Sequence, residues 1–129
     1  MPQNPQQIVV TMSSPVISNG VVDFDYSVSP SSAAGSGAGG VKIQGPSVIT
    51  YQLDASVNDS WIFLGATISE KDSGVAVNDV TTTISKDGRF LVATNTDVDN
   101  GKICFVFNMQ NGTTRISTPD PEEDNTTNN

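Results

Sequence analysis

Residues Val21–Ser29 have the sequence VVDFDYSVS, in which apolar and polar side chains alternate one by one. Successive side chains of a β-strand point to opposite faces, so the apolar half of this segment is expected on one face and the polar half on the other. The segment therefore predicts a half-buried strand whose core-facing residues are Val22, Phe24, Tyr26 and Val28.

The composition extends this interpretation to the whole chain. Valine and isoleucine together number 24 against three leucines, and 13 threonines bring the residues branched at Cβ to 37 of 129. Branched side chains lose freedom against the preceding turn of a helix, but they fit the pleated surface of a strand. An all-β fold is therefore predicted.

Further strands follow from the same patterns. Residues 47–54 and 80–85 alternate as residues 21–29 do, and residues 8–12 are expected to form an edge strand. Other segments are apolar on both parities, that is, at both odd-numbered and even-numbered positions. This is typical of strands covered on both faces; these segments are residues 61–64, 90–93 and 103–107.

Turn signals separate these segments. They are Asn19-Gly20, Asp87-Gly88, Asn100-Gly101 and Asn111-Gly112, which tolerate the positive φ of type I′ hairpin turns. The strongest hairpin prediction joins residues 89–95 to residues 102–109. Seven to nine short strands without a long helical pattern predict an antiparallel β-sandwich of immunoglobulin-like type.

The strand pattern predicts a single domain over residues 1–118. Two segments, one inside this domain and one after it, do not follow the pattern. Residues 30–40, PSSAAGSGAGG, have little apolar area to offset their ordering entropy and are predicted to be a flexible loop. The G-x-G-x-x-G within this loop precedes a short predicted strand, whereas a dinucleotide site needs a helix there. Residues 119–129 are polar and acidic and are predicted to be a disordered tail.

The charge limits the partners. Six basic residues stand against 14 acidic ones, a formal net charge of −8, and the basic residues are scattered singly. Binding to phosphate backbones needs a concentrated positive surface, and an anionic membrane repels a negative protein, so neither nucleic acid nor a membrane is expected as a partner. Lacking a signal-like start and carrying one cysteine, Cys104, the chain is expected to be cytoplasmic.

The chain lacks the residue types that many catalytic mechanisms use. The chain has no histidine, so Ser-His-Asp catalysis and zinc sites of Cys and His are excluded for a single chain, and no cofactor is expected. Cys104 is interpreted as a small buried hydrophobe. Asp23 and Asp25 lie two residues apart on one strand face, about 6–7 Å, a spacing that glycoside hydrolysis uses. Strand alternation alone also explains both aspartates as solvent-facing.

Asp97 and Asp99 are candidate ligands of a weak calcium site, because they alternate as the ligands of a calcium loop do. Counted from Asp97, Gly101 falls at position five where position six is required, and Asn108 stands where a glutamate is required. A hairpin turn through Asn100-Gly101 is therefore the favoured explanation of these residues.

The aromatic residues allow two further interpretations. Trp61 and Tyr51 are candidate stacking surfaces for a ligand of carbohydrate type, with packing in the core or an interface as the alternative. The segments apolar on both parities predict an exposed apolar stripe, which another copy of the chain would cover in a two-fold dimer; the loop or the tail is the alternative cover. The candidate interface residues are Trp61, Phe63, Phe90 and Val92.

The final residues carry a family resemblance. Asp120-Pro121-Glu122 follows the last predicted hairpin. This ending resembles that of the DP-EP family of small bacterial proteins and, more distantly, that of inclusion-body proteins of the AidA/PixA type. The resemblance implies a β-sandwich in a bacterial cytoplasm, with residues 119–122 ordered and docked against the body, and it supplies no catalytic residues.

The sequence therefore favours a non-enzymatic protein that acts by binding or assembly, with itself as the expected partner. A small-ligand binding module of carbohydrate type is the alternative. A carboxylate-based hydrolase built on Asp23 and Asp25 is the third hypothesis.

Overall fold

The computed structural model describes residues 4–35, 37–71, 74–119 and 121–126. Within these ranges the secondary structure consists of strands and two short 3-10 helices, Ser31–Ala33 and Ala76–Asp79. Neither helix is long or apolar enough to cross a membrane. The all-β prediction is confirmed. The strands are β1 (Gln6–Ser18), β2 (Val21–Ser29), β3 (Val41–Ile43), β4 (Ser47–Leu53), β5 (Trp61–Glu70), β6 (Val80–Ile84), β7 (Phe90–Asn95), β8 (Gly101–Asn111), β9 (Thr114–Ser117) and β10 (Glu122–Asn125).

The ten strands form one mixed sheet. Its order is β3-β10-β8-β9-β2-β1-β4-β7-β6, and β5 pairs with the other edge of β8. Three neighbouring pairs run parallel, namely β1 with β4, β2 with β9 and β3 with β10. The predicted purely antiparallel arrangement of seven to nine strands is therefore not confirmed. Side-chain alternation shows which face of a strand is buried, but it carries no information on strand direction.

Two groups of strands have side chains in contact in the core: β3, β5, β8, β9 and β10 form one group, and β1, β2, β4, β6 and β7 form the other. Between β9 and β2 a single residue pair joins the groups. Across the core, the ring of Tyr51 on β4 has its centroid 4.9 Å from that of Phe107 on β8. The rings of Phe24 on β2 and Trp61 on β5 are 5.6 Å apart. Side chains of the two groups therefore contact each other in the core, although the strands that carry these rings share no hydrogen bonds.

Burial follows the predicted two-residue alternation most clearly in β2 and β4. In β4 the side chains of Ile49, Tyr51 and Leu53 are buried, and the residues between them are half-buried. In β8 every second residue from Ile103 to Met109 is buried. Cys104 and Val106 between them are half-buried, so the second face of this strand is less covered than its sequence predicts. Each large apolar side chain that enters the core stabilises the fold by about 1.5–3 kcal/mol.

The predicted hairpin between β7 and β8 is wrong. β7 pairs with β4 and β6, whereas β8 pairs with β5, β9 and β10, so residues 96–100 cross from one group of strands to the other. The Asp97 carboxylate fixes this crossing, because its Oδ2 accepts a hydrogen bond from the Gly45 amide at 2.6 Å. An Asn-Gly pair favours a local turn, but it does not decide which strands pair on either side of that turn.

The first strand is longer and more central than the predicted edge strand at residues 8–12. β1 pairs antiparallel with β2 and parallel with β4. Its apolar residues Ile8, Val10 and Met12 are buried, as a place in the middle of the sheet requires. The hairpins predicted at Asn19-Gly20 and Asn111-Gly112 are confirmed.

The described part of residues 30–40 is more closely packed than its composition predicts. Ala33 is buried in a 3-10 turn, and Ala34 forms an isolated bridge with Val41. Gly39 has a φ of 71°, and a Cβ at this position would lie 2.7 Å from Cδ1 of Tyr26. Glycine in a sequence usually indicates a flexible segment. At residue 39, however, the absence of a side chain allows the loop to approach the ring of Tyr26.

Replacing Gly39 with alanine is expected to destabilise the fold more than replacing Gly20. Both glycines have a positive φ, 71° and 77°, so both substitutions carry a similar backbone strain of about 1–2 kcal/mol. Only at residue 39 does the added Cβ also collide with a neighbour, which costs about 1–3 kcal/mol more. Urea unfolding of G39A and G20A measures the difference, and equal losses would contradict the close approach to Tyr26.

Candidate functional site

β10 places two polar side chains inside the protein. It lies between β8, to which it is antiparallel, and β3, to which it is parallel, so its alternate residues point to opposite faces. Glu123 and Asn125 point inward and are 0 % and 2 % exposed. Glu122 and Asp124 point outward and are half-buried.

The prediction of a disordered tail is wrong for the residues that form β10. Low apolar content indicates disorder because such a segment buries little apolar surface, but here backbone hydrogen bonds to two neighbouring strands and fixed polar partners stabilise the segment instead. The docking implied by the family resemblance is confirmed for Pro121 and Glu122. Asp120 lies outside the described residues.

The connection from β9 to β10 runs along the same edge of β8 as both strands do. The Phe107 amide donates a hydrogen bond to Thr118 Oγ1 at 3.0 Å, and the Phe105 amide donates to the Pro121 carbonyl at 2.8 Å. From the last β9 pair to the first β10 pair, the chain advances five residues while β8 advances four. β9 and β10 therefore run in the same direction along one edge of β8, with one more residue between them than lies between their partners on β8.

The Glu123 carboxylate is held by two strands of the opposite group. Tyr51 on β4 donates its hydroxyl hydrogen to Oε2 at 2.6 Å, and Asn95 on β7 donates from Nδ2 to Oε1 at 3.0 Å. Burial raises the pKa of Glu123 to about 7, although both hydrogen bonds act in the opposite direction. Burial, and then the nearby Glu123 charge, raise the pKa of Tyr51 well above its ordinary value.

Asn125 extends this arrangement to the end of the core. Its Nδ2 donates to Asn95 Oδ1 at 3.1 Å and to Asp79 Oδ2 at 3.3 Å, while its Oδ1 accepts from Asn95 Nδ2 at 2.7 Å. Asn95 Oδ1 also accepts from the Asp97 amide at 2.9 Å. We refer to Tyr51, Asp79, Asn95, Glu123 and Asn125 as the buried polar cluster.

The buried polar cluster is suited to holding β10 in place. A carboxyl with a pKa near neutrality is what general acid catalysis uses, but a substrate must also be able to reach it. Glu123 has no exposed surface, and its two oxygens already accept hydrogen bonds. Asp23 and Asp25, the predicted hydrolase pair, lie on the exposed face of β2.

Asp97 and Asp99 lie in the connection between β7 and β8. Asp97 is 8 % exposed, and its Oδ1 has no hydrogen-bond partner among the described residues. Burial raises the pKa of Asp97 and of Asp99, and the nearby Asp79 carboxylate adds to both shifts. In the part of the chain that the structure describes, no three Asp, Glu, Cys or His side chains are arranged to hold a metal ion.

The aromatic candidates are divided between the core and the surface. Trp61 and Phe63 are 5 % and 2 % exposed and Tyr51 is fully buried, so these three residues pack in the core, the alternative that the sequence left open. Phe90 is 38 % exposed and Val92 is half-buried, so the outward residues of β7 are the part of the predicted stripe that meets solvent.

Among the hollows on the surface of the described residues, two are open to solvent and relevant to the predicted sites. The first has a volume of about 450 Å³ and lies between the β1–β2 turn, β5 and β9; among its lining residues are Gly20, Leu64, Asn108 and Arg115. The second has a volume of about 490 Å³ and lies beside the start of β7; it is lined by Gln52, Leu53, Asp54, Ala55, Asp59, Asp87, Arg89 and Phe90.

Sequence reasoning missed Glu123 and Asn95 as partners. Polar residues two positions apart, Glu123 and Asn125, are the one signal of a strand in this tail, and an alternation of polar with polar residues is invisible to a hydrophobic pattern. Asn95 ends a strand that is otherwise mainly apolar, which predicts a turn residue and not a buried hydrogen-bond donor.

Comparison with known proteins gives one match. The model of the DP-EP family matches residues 6–127, which include every described strand and all members of the buried polar cluster. No curated protein matches the sequence.

Proposed function

The chain belongs to the DP-EP family, and we propose that it is a non-enzymatic β protein that acts by binding or assembly, with a second copy of itself as partner. The observation that carries this proposal is the state of its converging polar groups. The members of the buried polar cluster lie in the core and hydrogen-bond to one another, so these groups stabilise the fold and are closed to a substrate.

We propose that the two facing groups of strands are the layers of an immunoglobulin-like sandwich with some parallel pairs. The single residue pair between β9 and β2 and the ring contacts between β4 and β8 support this arrangement. We further propose a cytoplasmic location, which the chain's one cysteine supports, since Cys104 has no second cysteine with which to form an internal disulfide.

Exposed apolar residues near the first hollow support self-association. Leu64 lines the hollow and is 42 % exposed. Gly20 of the β1–β2 turn lines it too, and the strand leading into this turn carries Val16 and Ile17, which are 63 % and 51 % exposed. An exposed leucine that lines a hollow, with further exposed apolar residues on the strand that leads to it, supports a surface that is covered in the assembled protein. A two-fold dimer, in which each copy presents this surface to the other, is the simplest cover.

Size-exclusion chromatography with light scattering tests the proposal. At micromolar concentration the protein is expected to have twice the 13.5 kDa mass of the chain. L64D, which puts a charge into the apolar surface, is expected to be monomeric because burying an unpaired carboxylate is costly.

V98D is the matched control for this experiment. Val98 is 67 % exposed and precedes β8, while Asn108, which lines the hollow together with Leu64, lies about 24 Å beyond the start of that strand. V98D is therefore expected to stay dimeric. A monodisperse monomer from the unmodified chain would rule out self-association as the function.

A small-ligand binding module of carbohydrate type is the second candidate. The second hollow favours it, since Phe90 offers an exposed ring for stacking and Asp59 and Gln52 offer polar atoms beside it. Asp54 and Asp87 are less available, because hydrogen bonds from Ser56 and Ser85 hold them and lower the pKa of each. A glycan array probed with the unmodified protein and F90A tests this candidate, and an array without signal would remove it.

A further inference from the structure

β10 is held in a different way from the other inner strands. Its two inward side chains are polar, whereas those of β4 and β8 are mainly apolar. Apolar burial is tolerant of partner and register, but a buried carboxylate and a buried amide need donors and acceptors at fixed positions. The gap between β3 and β8, which we call the slot, therefore selects a strand with Glu and Asn two residues apart.

The residues that contact β10 lie outside β10 itself, although β3, at the edge of the sheet, has β10 as its one strand neighbour among the described strands. β8 supplies four antiparallel residue pairs and β3 supplies three parallel ones. Tyr51, Asn95 and Asp79, which hydrogen-bond the inward side chains, belong to β4, β7 and the second 3-10 helix. On the outer face Lys71 forms an ion pair with Glu122 at 2.7 Å. The edge of β8 and these side chains can therefore make the same contacts with the β10 strand of another chain.

We propose that in the assembled protein the slot receives the β10 strand of a second copy, so that two chains exchange their C-terminal strands. This inference rests on the proposed self-association and names its mechanism. The exchanged strand makes the same slot contacts as the strand of its own chain, so exchange loses none of them and adds the contacts between the two bodies. Protein concentration then decides between the closed monomer and the exchanged dimer.

The connection before β10 sets the geometry of such an exchange. Thr118 stays anchored to β8 of its own chain through two hydrogen bonds with Phe107. The four backbone steps from Thr118 to Glu122 reach at most about 14 Å. Pro119 and Pro121 have no amide hydrogen to donate, so the Pro121 carbonyl, which accepts from the Phe105 amide, forms the hydrogen bond that exchange must break and re-form on the partner. The two slots must therefore lie side by side, as they do across a two-fold axis.

A single cysteine substitution tests the exchange in the full-length chain. Glu122 faces Cys104 across the β10–β8 ladder, and because the Phe105 amide bonds the Pro121 carbonyl, the pair is of the non-hydrogen-bonded type, in which side chains are closest. E122C therefore places two sulfurs where a disulfide fits. The lost ion pair with Lys71 is exposed and contributes little to stability.

Unlabelled and ¹⁵N-labelled E122C are mixed in denaturant, refolded together, oxidised and digested. If strands are exchanged, about half of the peptides joined by a disulfide between Cys104 and the thiol introduced at position 122 contain one light and one heavy partner, as random pairing of two chains requires. If β10 stays in its own slot, every such peptide is all light or all heavy, which overturns the inference. Absence of this disulfide would overturn it as well, because the strand would not occupy either slot.

The unmodified chain and an E122S variant serve as controls. Both are run on the light-scattering column used for the proposed function. If the protein is a dimer on the column but every disulfide-linked peptide is all light or all heavy, self-association is retained and only the strand exchange is ruled out. E122C/C104S, which cannot form the diagnostic disulfide, is expected to give none of these mixed peptides.

Discussion

Replacing Glu123 with glutamine is expected to remove most of the loss of stability that the unmodified protein undergoes between pH 4.5 and about pH 7. The folded protein raises the pKa of Glu123 to about 7, whereas the unfolded chain titrates near 4.5. Between these values the folded state keeps a proton that the unfolded state releases. The free energy of unfolding therefore falls as pH rises, by about 3 kcal/mol in all.

Glutamine suits this test because it is uncharged and similar in shape to a protonated glutamate. Its Oε1 accepts from Asn95 Nδ2, and its amide nitrogen donates to the Tyr51 hydroxyl, so both contacts of the carboxyl persist. Urea unfolding of both proteins from pH 4.5 to pH 8 measures the difference. If E123Q and the unmodified protein had equal stabilities at every pH, the folded protein would not raise the pKa of Glu123. Asp97, whose raised pKa acts in the same direction, is present in both proteins and cancels.

Replacing Asn95 with alanine is expected to cost about 4 kcal/mol, because several buried polar groups lose their partners at once. Asn95 is fully buried and takes part in hydrogen bonds with Glu123, Asn125 and the Asp97 amide. Alanine removes the donor to Glu123 Oε1 and to Asn125 Oδ1, and it removes the acceptor of the Asp97 amide, all in the core. Hydrogen exchange is expected to speed up most in β10, since both of its inward side chains lose a bond to Asn95.

Asn108 is the matched control for this substitution. It is also a strand asparagine, but it is exposed, and its Nδ2 donates to Thr67 Oγ1 at the surface. N108A is therefore expected to change the free energy of unfolding by no more than about 0.5 kcal/mol. If N95A were equally mild, the buried polar cluster would not be what holds β10 in place.

The sequence predicts best those strands that have one face in the core and one toward water. The bounds predicted for β2 are those of the structure, and β4 differs by one residue, because water on one side and apolar neighbours on the other impose the two-residue alternation. The hairpin turns at Asn19-Gly20 and Asn111-Gly112 follow from local backbone geometry, so they too can be predicted.

Strand pairing over longer distances cannot be predicted in the same way. The crossing at residues 96–100 depends on a hydrogen bond from Gly45 to Asp97, two residues 52 positions apart in the chain. The parallel pairing of β1 with β4 likewise depends on where the chain returns after β2 and β3. Neither contact leaves a periodic signal in the sequence.

The buried polar cluster is hidden from sequence reasoning for a related reason. A hydrophobic pattern assigns Glu123 to a solvated tail, and the contacts that reverse this assignment come from Tyr51 and Asn95, which are distant in sequence. Tyr51 stands out in the sequence as an aromatic residue, but its use as a donor to a buried carboxylate is a property of the packed structure. The resemblance at Pro121 and Glu122 is the one indication that the end of the chain docks.

Titration of the Glu123 side-chain carboxyl by ¹³C NMR tests the docked C-terminal strand most directly. The account predicts a midpoint at about pH 7, as burial between Tyr51 and Asn95 requires, with Y51F shifting it further upward because a bond to the charged form is lost. A midpoint near 4.5, the ordinary value of a solvated glutamate, would contradict the account, because it would place Glu123 in water and β10 outside the sheet.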